Sequence, residues 1–329
     1  MSDVVVEASG LTKIYRVHER QEGLGATLRS VFSRRFRDIP AVTDATFSIR
    51  AGEVVGFLGP NGAGKTTTLK MLSGLLYPTA GVARVVGHVP WRRDGEFLRQ
   101  ITLLMGNRTQ LVWDIAAADS FRVLQEIYRI PEDRYRATLG ELSDLLELGP
   151  LLHKPVRNLS LGERMKVEFA AGLIHSPRVA FLDEPTLGLD VSMQSRIRRF
   201  VAEHNRVAGT TILLTSHYMD DVVALCKRVL VIHQGRLLYD GELGELAQRM
   251  APYKVIRVVL RDGAGSALLD ALGTVVARDE AQVTLRVPRE LAAERTARIV
   301  RDLEGDLADI SVEDPPIEEV IDRVFQEAV

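Results

Sequence analysis

The chain has 329 residues, 46% of them hydrophobic and 26% charged, with 42 basic and 44 acidic side chains for a formal net charge of −2. That length allows about two domains, and a charge so close to zero excludes the global basic field that draws a protein to nucleic acid or to an anionic membrane, so no nucleic-acid partner is expected. A single cysteine, Cys226, excludes an intrachain disulfide, and its apolar setting beside Val222, Val223 and Leu225 marks a core thiol of a reducing, cytoplasmic compartment.

In chain order, residues 4–8 read as a strand, and residues 45–50 as a second, with Phe47 and Ile49 alternating with polar neighbours. The N-terminal residues lack the basic start and long apolar stretch of a secretory signal, and no run of 18 apolar residues occurs, so any membrane-spanning segment is expected from other chains. Residues 16–39 carry six arginines, with Leu28, Val31, Phe32 and Phe36 at helical spacing. That pattern predicts a small basic amphipathic helix. It is either a solvated insertion packed on its parent domain or a contact for a membrane surface or membrane partner.

From residue 53 to about 250, apolar strand-like runs at 54–58, 101–105, 179–182, 211–214 and 229–232 alternate with helical stretches. Such alternation predicts an α/β fold with a mainly parallel sheet. Beyond a boundary placed near 250, with domains of 1–250 and 251–329, the pattern becomes β-α-β-β-α-β, a small α+β unit. A last helix starts at Asp314 and Pro315 and puts Ile317, Val320, Ile321, Val324 and Phe325 on one face.

Residues 54–58 run into Gly59-Pro60-Asn61-Gly62-Ala63-Gly64-Lys65-Thr66-Thr67, a complete Gly-x-x-x-x-Gly-Lys-Thr pattern between a strand and a helix. Gly59, Gly62 and Gly64 let the backbone curl so that its N–H groups, with that of Asn61, aim at phosphates, and the helix start adds its positive end. Lys65 supplies a point charge, the Thr66 hydroxyl suits Mg²⁺, and Thr67 can bond a phosphate. A nucleoside triphosphate is the implied ligand.

The strand at 179–182 ends in Asp183 and Glu184, an acidic pair that is costly on an apolar strand unless a cation or water chemistry uses it. Asp183 is assigned to the Mg²⁺ shell, and Glu184 to accepting a proton from the water that attacks the γ-phosphate.

Leu159-Ser160-Leu161-Gly162-Glu163 resembles the Leu-Ser-Gly-Gly-Gln signature of the ABC ATPase family and falls some twenty residues before Asp183. Gly188-Leu189-Asp190 looks like that family's D-loop, His217 occupies the place of its switch histidine, and Tyr15 that of the aromatic stacked on adenine. The resemblance implies a P-loop NTPase core with a helical subdomain, plus a ferredoxin-like C-terminal domain similar to that of exporter subunits. It implies ATP and Mg²⁺ as ligands, with Ser160 and Gly162 of one copy closing on the γ-phosphate held by another and Asp190 communicating between the two sites. The partners so implied are a second copy, or a related ATPase, and separate transmembrane permease subunits at the cytoplasmic face of the cell membrane. The function implied is ATP-driven efflux of a drug, lipid or polysaccharide. A soluble ABC ATPase and a weakly hydrolysing regulatory module are the alternatives.

Two departures stand out. The resemblance puts Asn107 where a glutamine touches Mg²⁺ and the attacking water, one methylene short, so turnover slower or more tightly coupled than with glutamine is expected; Gln110 substitutes only if the loop shifts by three residues. Glu163 replaces the signature glutamine and is expected to face away from the phosphate. Leu111 and Trp113 suggest a groove for a short helix of a membrane subunit.

Overall fold

The computed structural model describes residues 4–18, 36–106, 109–261, 266–279 and 281–327. The chain divides into two compact units, one ending at Gly241 and the other starting at Glu242. In chain order the strands are β1 (Val4–His18), β2 (Phe36–Arg50), β3 (Val54–Leu58), β4 (Ala80–Val85), β5 (Ile101–Met105), β6 (Val179–Asp183), β7 (Thr211–Thr215), β8 (Arg228–His233) and β9 (Arg236–Glu242), then β10 (Tyr253–Leu260), β11 (Thr274–Arg278), β12 (Gln282–Pro288) and β13 (Leu307–Glu313) in the second unit.

The first unit holds two sheets. A six-stranded sheet runs in the order β5-β6-β7-β3-β8-β9, with parallel pairing from β5 through β8. Strands β3, β6, β7 and β8 are buried along most of their length, which is why they read as continuous apolar runs rather than alternating ones, whereas the edge strand β9 has no buried residue. β8 and β9 are joined by Gln234 and Gly235, both at positive φ (47° and 78°), the backbone of a tight hairpin turn. The second sheet is antiparallel, in the order β2-β1-β4. Val6, Ala8, Leu11, Val42, Phe47 and Ile49 face inward from it onto a core shared with Phe57, Leu69, Phe97, Phe181 and Leu230.

β1 and β2 are far longer than the strands expected at 4–8 and 45–50. The helix expected over 16–39 is corrected at both described ends: Arg16, Val17 and residues 36–39 are strand, paired Tyr15 to Ile39, Arg16 to Asp38 and His18 to Phe36. Cross-strand pairing wins there because the hairpin ladder continues past the core edge, and the Arg16 guanidinium packs 4.6 Å from the Phe36 ring centre. Leu28, Val31 and Phe32, which carried the helical spacing, lie outside the described residues.

Among the helices, Ala117–Tyr128 and Glu132–Leu146 pack on Leu161–Leu173, a helical layer beside β5. In the second unit the antiparallel order β11-β12-β10-β13 is that of a ferredoxin-like β-α-β-β-α-β unit. Ile256, Val258, Leu260, Val283, Leu285 and Val287 meet Ile299 and Leu303 of the Ala292–Asp302 helix in its core. The Leu243–Met250 helix packs on Ile317–Glu327 within this second unit. Among the described residues no helix is long and apolar enough to cross a membrane.

Candidate active site

β6, β7 and β3 are neighbours, so their carboxyl ends meet at one edge of the sheet. In open parallel sheets that edge is where ligands bind. β3 ends at Leu58; the loop 59–64 then turns back into the Lys65–Leu72 helix, with Gly64 as its N-cap at φ 108°. The three glycines are needed for different reasons. A Cβ on Gly59 would stand 2.2 Å from the Ile232 carbonyl oxygen, and one on Gly64 2.3 Å from that of Ala41. Gly62 has open space around it and is required only by its φ of 80°. Gly235 of the β8–β9 turn donates its N–H to the Ala63 carbonyl at 3.0 Å and so props the loop from below.

Lys65 is buried and folds along this loop, its Nζ donating to the carbonyls of Gly59 (2.5 Å) and Pro60 (3.1 Å). Burial pushes its ammonium below the ordinary lysine range, while Glu184 and Asp183 hold it up. Asn61 and Gly62 are exposed at the tip of the loop, and Thr66 and Thr67 are half-buried in the first helical turn.

The Thr66 hydroxyl reaches both Asp183 oxygens, at 3.1 and 2.9 Å. Thr215, buried at the end of β7, donates its hydroxyl to the same carboxylate at 2.8 Å. That hydroxyl also accepts the Glu184 N–H at 3.1 Å, and the Thr215 carbonyl accepts it at 3.1 Å. Thr215 thus ties the two acids together, a role the sequence reading missed. A hydroxyl and a carboxylate oxygen side by side are the hard donors that suit Mg²⁺, which takes one or two protein ligands and leaves the rest to phosphates and water.

Glu184 sits at φ 56°, in the left-handed region, which turns its side chain off the strand. Its Oε1 lies 2.8 Å from Nε2 of His217. Burial pushes the Glu184 carboxyl above the ordinary range, while His217 and Lys65 pull it back. Lys65, Thr66, Asp183, Glu184 and His217, singled out separately in the sequence, are therefore brought to one edge.

Ser160, Gly162 and Asp190 form a second cluster. Ser160 caps the Leu161–Leu173 helix: its Oγ accepts the Glu163 N–H (3.2 Å), and the Glu163 carboxylate accepts the Ser160 N–H (2.9 Å), a complete capping box. Lys154 holds the other Glu163 oxygen at 3.0 Å. Both the Ser160 N–H and Lys154 keep the Glu163 carboxyl low. The replacement of glutamine by Glu163 is thus absorbed by the helix cap. Asp190 caps the Val191–Ala208 helix through the Met193 N–H (2.9 Å), and a Cβ on Gly162 would meet the Met193 side chain at 3.0 Å.

Tyr15 lies on β1, 38% exposed, with Lys13 Nζ 5.4 Å from its ring centre. Its pairing to Ile39 places it near Ala41, the residue against Gly64. Asn107 lies outside the described residues. Gln110 donates its side-chain amide to the Leu103 carbonyl at 3.1 Å, a contact with β5. Leu111 is buried and belongs to the core, whereas Trp113 is half-exposed with Arg164 5.6 Å from its ring centre, so the groove expected from this pair has only one of them on the surface.

A family model described as ABC transporter matches residues 42–187, and one described as EvrA-like ABC transporter, C-terminal domain, matches residues 252–313. The chain is 38% identical over 218 residues to the ABC transporter ATP-binding protein NatA of Bacillus subtilis, covering 65% of this chain and 88% of NatA. It is 32% identical over 296 residues to the daunorubicin resistance ATP-binding protein DrrA3 of Streptomyces coeruleorubidus, covering 87% of this chain and 92% of that protein. A solved ATP-binding subunit of an ABC transporter superposes with a TM-score of 0.62 at 24% identity, over 74% of this chain and 92% of the other, a likeness of fold.

Proposed function

Because the chain belongs to the ATP-binding proteins of ABC transporters, we propose that it hydrolyses ATP through the Lys65–Asp183–Glu184–His217 centre to drive export of a drug-type cargo through separate membrane subunits. The observation that carries this reading is the junction at the sheet edge, where the phosphate loop, Thr66 and Asp183 stand beside Glu184 and its 2.8 Å contact to His217.

The N–H groups of the loop 59–67 and the Lys65 ammonium hold the phosphates, and Tyr15 stacks on the adenine. Thr66 and Asp183, with Asn107 as the expected third, hold Mg²⁺, which when bound neutralises charge developing on the transferred phosphoryl group. Glu184, its carboxyl kept above the ordinary range by burial, is the better matched to take a proton from water near neutral pH. His217 orients that carboxylate. Ser160 and Gly162 start a helix whose N–H groups and positive end suit a second phosphate contact. That they sit in their own cluster with Asp190, on different elements from the loop 59–64, supports a head-to-tail pair of copies, or pairing with a related ATPase, in which each supplies half of the other's site. The second match, to an EvrA-like C-terminal domain, and the near-full-length likeness to a daunorubicin resistance protein support drug-type export over other cargoes. Such a subunit works at the cytoplasmic face of the membrane.

Glu184→Gln keeps shape and removes the base. Its ATP hydrolysis is expected to fall on the order of 10²–10⁴-fold while nucleotide binding is retained, whereas Lys65→Ala loses binding. Equal hydrolysis by Glu184→Gln and the parent would sink the assignment of the base. Export is checked by drug accumulation in cells that co-express the membrane subunits.

A further inference from the structure

Behind the His217–Glu184 pair lies a carboxylate that no part of the chemistry above uses. Asp221, in the first turn of the Met219–Leu225 helix, is 0% exposed. Its Oδ2 accepts two hydroxyls, that of Thr186 and that of Ser216, the latter at 2.8 Å. Thr186 stands two residues after Glu184, and Ser216 immediately precedes His217. Ser216 Oγ in turn accepts the Tyr218 N–H at 3.0 Å, so the backbone carrying His217 is held on both sides. On the other side Arg198 Nε stands 3.3 Å from Asp221 Oδ1 and its Nη1 3.6 Å from Asp220, ion-pair distances from the helix that Asp190 caps.

A fully buried carboxylate is costly unless hydrogen-bonded and paired, and here both hydroxyl donors come from the two segments that carry the reactive side chains. Glu184 also needs such a hold. Its φ of 56° is a conformation that persists in a residue with a Cβ only when its surroundings over-determine it. Thr215 fixes the residue from the N-terminal side through the Glu184 N–H. Asp221, through Thr186, fixes the chain that leaves it.

We propose that Asp221 is the positioning residue of the hydrolytic centre: one buried oxygen sets the spacing of Glu184 and His217 by holding the hydroxyls of Thr186 and Ser216, and Arg198 ties that setting to the helix that begins at Asp190. The inference rests on Glu184 and His217 being the hydrolytic pair.

The test is steady-state ATPase kinetics of the full chain with its membrane subunits, alongside the stoichiometry of a fluorescent ATP analogue. Asp221→Asn is expected to lower kcat about tenfold or more, as an ångström-scale misplacement does, with KM for ATP within about twofold and full nucleotide stoichiometry. Thr186→Val removes the hydroxyl at constant volume and lowers kcat alike, and Thr186→Ser recovers most of that loss. Combined with Asp221→Asn, Thr186→Val adds little further, since both remove one contact. These two Thr186 variants carry the test if Asp221→Asn does not fold. A parental kcat in Asp221→Asn, a fall in nucleotide stoichiometry matching the fall in rate, or equal kcat for Thr186→Val and Thr186→Ser would each overturn the proposal. Glu184→Gln run in parallel separates the two readings: if it hydrolyses ATP like the parent, the pair itself is misassigned, whereas if it is inactive and Asp221→Asn is not impaired, only the positioning role fails.

Discussion

His175, just past the C-terminus of the Leu161–Leu173 helix, makes the stability of the first unit depend on pH in a calculable way. Its ring stacks on Tyr128 at 3.9 Å and 5° and its Nε2 donates to the Ile101 carbonyl at 2.9 Å, which leaves Nδ1 buried and without a hydrogen-bond partner. A second proton would have to sit on that nitrogen. Burial accordingly lowers its pKa from 6.5 to about 4, against a smaller upward pull from the Ile101 carbonyl. In the unfolded chain the histidine takes up a proton near 6.5, so the stabilisation is complete above that pH and is lost as pH falls towards 4. Between pH 7.5 and 5.5 the loss works out at ~1.4 kcal/mol, and by pH 4 at about 3 kcal/mol. Both tryptophans, Trp91 and Trp113, lie in the first unit, so urea unfolding followed by tryptophan fluorescence reports on it. His175→Phe keeps the stack and abolishes the titration. It is expected to be less stable than the parent at pH 7.5 by roughly 1–2 kcal/mol, for the Ile101 carbonyl it leaves unpaired. On going to pH 5.5 it should lose ~1.4 kcal/mol less than the parent does. Equal losses in the two proteins would refute the assignment of the buried neutral ring.

Gly64→Ala, whose Cβ would stand 2.3 Å from the Ala41 carbonyl at a positive φ, is expected to abolish nucleotide binding, whereas Gly62→Ala, with open space around it, costs about 1 kcal/mol of strain; nucleotide titration and urea melts separate the two. Glu163→Ala removes the capping box and the Lys154 pair and should cost ~1 kcal/mol in the same melts, with Glu163→Gln recovering most of it. Because burial raises the Glu184 carboxyl above its ordinary 4.5 and the base must be ionised to act, the acid limb of the kcat profile should have its midpoint above pH 4.5. A midpoint at or below that value would contradict the burial of the base.

Continuous apolar runs that end in chemistry were the most legible part of the chain. β3 and β5 fall on the expected residues because a strand buried on both faces has no polar alternation to blur its ends. β4 and β9 escaped notice: in β4 Ala80, Gly81 and Ala83 have little strand preference and only Ala83 and Val85 are buried, and β9 shows no residue buried along its length. At residues 16 and 36–39 helical spacing was outweighed by a hairpin ladder whose partner lies some twenty residues away, information that periodicity does not contain. In the site, residue types at fixed spacing identified Lys65, Thr66, Asp183 and Glu184, but the side chains that hold them did not show. Thr215 reaches Asp183 across 32 residues of chain because β6 and β7 are neighbours, and Asp221 reaches Thr186 across 35. Glu163, conspicuous as a departure from a signature, needed its Ser160 and Lys154 contacts to become intelligible.

The shared hydroxyl of Thr215 bears on how this centre can be dissected at all. It donates to Asp183 and accepts from the Glu184 backbone, so whatever shifts it displaces the cation-side acid and the water-side acid together. Single substitutions here report a blended defect. A metal titration of a Thr215 variant and its hydrolysis rate will move in step even if the two acids have separate duties. Only a double-mutant cycle, with Thr215→Val crossed against a change at Thr66 and again at His217, divides the loss between them. The same wiring means that divergence at this position cannot alter cation preference without retuning the base.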